Sequence, residues 1–249
     1  MMAYGSTHTG MVRANNQDSF AVEVLEGMDT ALLAVCDGMG GANAGNVASR
    51  FALDRFLLEI KQGICPNMGQ TEKEDLMRVA AQAANGEVFE LSVGQPEYRG
   101  MGTTLVGALI QGDTAELLNV GDSRAYRIRG EQIEQLTEDH SYVQEMVRKG
   151  KLTPEQSRNH PHKNLITRAI GVEEFVDSDL YQYTLAPEDV LLLCSDGLYG
   201  MVDERTVVQI VRQAATLEEA ADALINRACQ AGGVDNITVV LYRRGVSAE

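Results

Sequence analysis

Two segments share a construction that few folds accommodate. In "TALLAVCDGMGG" (30–41) and "DVLLLCSDGLYG" (189–200), an unbroken apolar run ends in an aspartate and a glycine. Runs this short and this apolar suit strands that are at least half buried. A buried strand has no use for a charge, so Asp37 and Asp196 are expected at strand ends, where a carboxylate can leave the core. One Asp-Gly alone is a turn. The three glycines behind Asp37 exceed what a turn needs and let backbone approach a ligand closely. A phosphate-cradling loop is the rival reading of "CDGMGG", but the GK[ST] ending of a P-loop and the GxGxxG spacing are both missing.

Strands and helices fall in blocks around these segments. The spacing predicts strands at 20–25 and 30–36, a helix from 43 to about 62, and a second helix begun by "TEKE" with Thr71 capping and Glu74 reaching back. That second helix is read through Leu76, Val79, Ala83 and Val88. The middle, "GTTLVGALI", "TAELLNVGDSRAYRIRG" and "QIEQLT", reads as hairpin strands separated by "QGD" and "RGE" turns. From 140 to 171 the pattern is polar and irregular, with a capping box in "TPEQ". Two helices follow from about Asp203 and Thr216, and "DNITVVLYRR" forms the last strand. A strand-rich centre with paired helices near each end implies an α+β fold, a sandwich of antiparallel sheets with helices outside, built as one domain over residues 1–249.

Acidic residues outnumber basic ones 36 to 21, and the net charge of −15 argues against nucleic acid or an anionic membrane as a partner. A solvated acidic surface accounts for most of that charge. Cys36, Cys65, Cys194 and Cys229 lie far apart without a CxxC pair, which fits reduced thiols rather than a disulfide frame or a zinc site. The start lacks the basic and apolar regions of a signal peptide, and no apolar segment is long enough to span a bilayer. A cytoplasmic monomer is expected.

The aspartates carry the chemistry. Asp18 precedes a strand, Asp37 and Asp196 end strands, Asp122 follows "NVG", and Asp235 starts the last strand after "GG". If these ends converge on one rim, the carboxylates cannot all ionise without added positive charge. Oxygen donors without histidine or cysteine select hard divalent cations, magnesium or manganese, over zinc.

Taken in order, "RANNQDSF", "VCDGMGG", "GMGTTLV", "NVGDSRAYR", "LTEDHSYV", "HPHKNLITRAIG", "LLLCSDGLYG" and "GGVDNITVV" resemble the metal-dependent protein phosphatases of the protein phosphatase 2C family in their compact bacterial form, over about residues 4–243. The resemblance implies a four-layer α/β/β/α sandwich of two antiparallel sheets flanked by pairs of helices. It implies two ions of Mn²⁺ or Mg²⁺, with Asp37 bridging them, the Gly38 carbonyl on one and Asp196 and Asp235 on the other. Asp18 supports the first ion, and Asp122 with Asp196 forms a weaker third site. Arg13 grips the substrate phosphate, the role for which a planar guanidinium fork is suited. Water activated as hydroxide between the two ions attacks phosphorus in line, without a phosphoenzyme. Segment 140–171 corresponds to the family's flap beside the cleft.

The implied substrates are phosphoserine and phosphothreonine proteins, including a bacterial Ser/Thr kinase and the proteins it phosphorylates. A phosphoprotein-binding pseudophosphatase is the alternative, and loss of a metal aspartate would have favoured it. A metal-dependent nuclease also clusters acids, but its substrate suits so acidic a chain poorly. Two departures from the family pattern bear on chemistry. Histidines that relatives carry are replaced by Met39 and Ala42, which leaves a metal-bound water as a substitute proton donor to the leaving group, with His140 and His160 or His162 as the other candidates. Gln17 replaces a frequent glutamate and removes one charge near the ions.

Overall fold

The computed structural model describes residues 2–25, 28–41, 44–158 and 160–245. Strand β3 (Thr30–Met39) is central to one sheet because both its faces are covered. Leu32, Ala34 and Cys36 pack against helices, whereas Ala31, Leu33 and Val35 face the second sheet. The alternation that places side chains on opposite faces of a strand thus divides one apolar run between two cores. The second Asp-Gly segment repeats the device. In β10 (Val190–Cys194), positions 190, 192 and 194 face helices, and Leu191 and Leu193 face the first sheet.

Around β3 the first sheet runs β2 (Asp18–Leu25), β3, β5 (Leu105–Gln111), β6 (Thr114–Val120) and β9 (Asp179–Thr184), with the short β4 (Gly102–Thr103) paired to the end of β3. The second sheet has the order β1 (Met2–His8), β11 (Ile237–Arg243), β10, β7 (Arg124–Arg129) and β8 (Gln132–Gln135). Every strand pair is antiparallel. Helices α1 (Ala44–Gly63) and α2 (Gln70–Gly94) cover the outside of the first sheet. The second is covered by α6 (Glu204–Gln213) and α7 (Leu217–Gln230). The α+β sandwich is therefore layered helix, sheet, sheet, helix.

Several local details differ from the sequence expectation. Helix α2 is capped by Gly69, whose backbone N–H donates to Glu72 Oε2 at 2.7 Å, and not by Thr71. Its buried face is Met77, Ala80, Ala81, Ala84 and Val88, while Val79 stands in solvent. Strand β3 continues through Asp37 to Met39, and "SDG" opens a short helix, α5 (Asp196–Tyr199), instead of a turn. Segment 140–171 contains α3 (Tyr142–Arg148) and α4 (Pro154–Arg158). The "TPEQ" box forms as read, since Thr153 N donates to Gln156 Oε1 at 2.8 Å and Gln156 N to Thr153 Oγ1 at 3.2 Å. Ala42 lies outside the described residues.

Candidate active site

The layer between the sheets is apolar along most of its length and turns polar at one end. Two residues beyond the last apolar member on this face, β2, β3, β5, β7, β10 and β11 each offer a hydroxyl or a carboxylate. Thr104 precedes Val106, Ser123 precedes Ala125, Ser195 follows Leu193, Thr238 precedes Val240, and Asp37 follows Val35. Asp18 precedes Phe20 and lies directly opposite Asp37 in the β2–β3 register. Strand periodicity therefore gathers these groups at one rim before any loop is considered.

Asp18 is buried, and its Oδ2 accepts from Thr238 Oγ1 at 2.6 Å and from Ser195 Oγ at 2.8 Å. Its Oδ1 is buried without a partner. Burial raises the pKa of this carboxyl above the ordinary value, and the two hydroxyl bonds oppose that rise. Asp37 is pinned by its backbone, where N–H donates to Thr104 Oγ1 at 2.9 Å and C=O accepts from Thr104 N and Thr103 Oγ1, each at 2.9 Å. Burial, followed by the charges of Asp18, Asp196, Asp122 and Asp235, pushes its pKa well up. Gly38 admits no side chain, because a Cβ would stand 2.0 Å from the Gly45 carbonyl oxygen and 2.6 Å from that of Gln17.

Asp196 occupies the first turn of α5, and its Oδ1 is buried without a partner. Its pKa is raised by burial and then by Asp122, Asp235 and Asp18. Burial and Asp139 push Asp122 up to about 6, while Arg124 and the Tyr199 hydroxyl pull it down. Asp235 Oδ2 accepts from Arg13 Nη2 at 2.7 Å, and the Arg13 side chain is 54% exposed. The structure thus brings Asp18, Asp122, Asp196, Asp235 and Arg13 within electrostatic range of Asp37.

This donor set fits hard divalent cations. Two buried carboxylate oxygens lack partners, burial and the neighbouring acids raise the proton affinity of Asp37 and Asp196, and Arg13 is the cation paired to Asp235. Among the described residues, no three His, Cys, Asp or Glu side chains close into a compact chelate. Donors spread around a rim suit an ion that keeps part of its water shell, as magnesium does.

A sequence profile of Protein phosphatase 2C matches residues 5–228. The chain belongs to the protein phosphatase 2C family. This phosphatase is 40% identical over 248 residues to the serine/threonine phosphatase stp of Listeria monocytogenes, covering 99% of this chain and 97% of that one. The structure of the Streptococcus agalactiae serine/threonine phosphatase superposes with a TM-score of 0.90 at 35% identity, over 98% and 99% of the two chains. The catalytic domain of the phosphatase PstP, solved in complex with two manganese ions, gives a TM-score of 0.82 at 34% identity over 96% of each chain.

Other parts of the phosphatase support the rim from behind. Asn236 accepts from Gln17 N at 2.8 Å and donates to Thr9 O at 2.8 Å and Asn15 O at 3.0 Å, which moors the loop carrying Arg13 beside Asp235. Gln17 donates to Gly41 O and its carbonyl accepts from Gly38 N, so it braces the glycine loop. Sequence reasoning passed over Asn236, Thr238 and Tyr199. His140 is unsuited to protonate a leaving group, because its Nδ1 accepts from Gly121 N at 3.1 Å and its Nε2 lies 3.2 Å from Asp179 Oδ2. His160 and His162 pack with Tyr142 at centroid distances of 5.6–5.9 Å, within segment 140–171.

Proposed function

We propose that this protein hydrolyses phosphoserine and phosphothreonine in proteins, reversing a bacterial Ser/Thr kinase. The observation that carries the reading is the rim of five mutually repelling carboxylates at the end of the inter-sheet layer, with two buried oxygens lacking partners and an arginine at the exit. Asp37 with the Gly38 carbonyl, Asp196 and Asp235 would hold two ions, Asp18 would support one of them, and Asp122 with Asp196 would hold a third more weakly. When bound, such ions supply an acidified water for in-line attack and neutralise charge on the phosphoryl group.

The protein's own residues set the stage for that chemistry. Thr103 and Thr104 fix the Asp37 backbone, and Ser195 with Thr238 keeps one Asp18 oxygen oriented so that the other faces the rim. Arg13 offers its guanidinium to the phosphate oxygens from a loop that Asn236 ties down. Ser123 Oγ stands 2.7 Å from Thr104 Oγ1 and Ser19 Oγ 3.0 Å from Ser49 Oγ, pairings that suit support rather than nucleophilic attack. Residues 140–171 act as the flap that selects substrates within a single catalytic domain. With His140 engaged by Gly121 and Asp179, a water held at the rim would donate the proton to the leaving group.

Chelator-stripped protein given Mn²⁺ or Mg²⁺ should release phosphate from a phosphothreonine peptide, and Asp37→Asn or Asp235→Asn should abolish the release. Metal-restored peptide binding without phosphate release would replace the enzyme reading with that of a binding module.

A further inference from the structure

Asp122 and Asp196 sit where a β ladder comes apart. Strands β7 and β10 are paired down to Cys194 opposite Arg124, and extending that antiparallel register by two positions would set Asp196 opposite Asp122. The ladder stops short of them because the chain after Ser195 turns into α5. Two carboxylates of like charge therefore face each other beyond the last paired residues, where backbone hydrogen bonding no longer fixes their separation and their repulsion favours opening.

Tyr199 spans this gap. It lies three residues after Asp196 on the same short helix, and its hydroxyl donates to the Asp122 backbone carbonyl at 3.0 Å, with Asp122 Oδ2 at 3.4 Å. The ring is held from the other side. The Arg124 guanidinium lies 3.6 Å from its centroid, a cation–π stack. Arg124 is itself fixed, since Nε donates to both Asp139 oxygens at 2.9 and 3.1 Å, Nη2 to Oδ2 at 2.7 Å, and Nη1 to Tyr126 Oη at 2.9 Å. Gln135 Nε2 donates to Asp139 Oδ1 at 2.9 Å and completes the platform. Packing against Arg124 needs only a ring, and phenylalanine would provide one. The hydroxyl adds a tie between the turn bearing Asp196 and the loop bearing Asp122.

We infer that Tyr199, seated on the Arg124–Asp139 platform, is a positioning residue that sets how tightly the Asp122–Asp196 pair holds a divalent cation. The inference rests on the proposed assignment of Asp122 and Asp196 as ligands. A cation shared by the pair needs both carboxylates at one separation, and the tie supplies that separation before the ion arrives, lowering the cost of organising the site. Asp196 also serves the core ion held with Asp235, but the weaker ion draws both of its carboxylates from the tied pair and is therefore the more sensitive of the two.

The test is Mn²⁺ binding to the chelator-stripped full-length chain, followed by the electron paramagnetic resonance of free Mn²⁺, for the wild type, Tyr199→Phe, Arg124→Lys and Asp196→Asn. Tyr199→Phe should weaken the weaker class of ions by roughly 3- to 10-fold, the worth of one hydrogen bond, and shift the tighter class by less. Arg124→Lys keeps the charge but loses the planar stack and fork, and should shift the same class in the same direction. Thermal melts distinguish positioning from general support. Tyr199→Phe should lower the metal-free midpoint modestly, the cost of one hydrogen bond, and in addition reduce the rise in melting temperature caused by Mn²⁺. Wild-type binding by Tyr199→Phe, alongside weakened binding by Asp196→Asn, would overturn the inference and spare the ligand assignment. If Asp196→Asn also binds like the wild type, the ligand assignment itself fails. An equal loss of midpoint with and without Mn²⁺ would reduce Tyr199 to a packing residue.

Discussion

Asp18 shows how the fold decides the state of a single carboxylate. Burial favours its protonated form, whereas Thr238 and Ser195 donate hydrogen bonds that favour the charged one. Thr238→Val removes the shorter of those bonds, so Asp18 should hold a proton more readily and a divalent cation less tightly. Calorimetric Mn²⁺ titration at neutral pH should show a loss on the order of 3- to 10-fold. Gly38 is constrained by space instead. A Cβ there would meet backbone oxygens of Gly45 and Gln17, and neither can swing away as a side chain can. Gly38→Ala should cost about 1–3 kcal/mol in urea unfolding and disturb the strand end carrying Asp37.

At the scale of elements, the N-terminal caps of helices α6 and α7 involve none of the rim residues and provide a control. Asp203 caps the first by accepting from Thr206 N at 3.0 Å, and Thr216 caps the second by accepting from Glu219 N at 3.1 Å. Asp203→Ala and Thr216→Ala should each cost about 1 kcal/mol of stability and leave turnover per folded molecule unchanged, as urea melts and peptide assays would show. These caps were legible in the sequence because Asp and Thr precede apolar periodic segments. The doubly buried strands β3 and β10 were legible for a similar reason, since an apolar run bounded by Asp-Gly has few other uses. Strands β1 and β9 were not. "MAYGSTH" and "DLYQYT" lie at sheet edges, are only partly buried, and owe their conformation to pairing with β11 and β6. The cap of α2 was misplaced because Gly69 contributes a backbone N–H, which no side-chain pattern announces. Within the site, the aspartates stood out beside glycine. The hydroxyl of Thr238 did not, although it lies two positions before Val240, an apolar residue facing the other sheet.

Over the whole molecule, one layer has two functions. Its apolar part joins the sheets through Leu33, Val106, Leu193, Val240 and their neighbours, and its polar end carries the rim. Segment 140–171 is tied to that end by His140. Asp179, Arg168 and Asp139 surround the ring, and burial lowers its pKa below the usual histidine value. Protonating Nδ1 would also set a donor against the Gly121 N–H. A depressed histidine pKa contributes stability that is present above the unfolded value of about 6.5 and is lost as the pH falls. Compared with His140→Gln, the wild type should therefore lose unfolding free energy between about pH 7 and pH 5.

The central claim is that the carboxylates closing the inter-sheet layer hold the divalent cations of a phosphatase. Equilibrium dialysis of the chelator-stripped chain against Mn²⁺ tests it most directly, with Asp37→Asn beside the wild type. The wild type should retain at least two ions per chain, and Asp37→Asn should lose the tight ones while keeping its fold. Full Mn²⁺ retention by Asp37→Asn, or a wild type that hydrolyses phosphothreonine peptide while holding no divalent ion, would contradict the account.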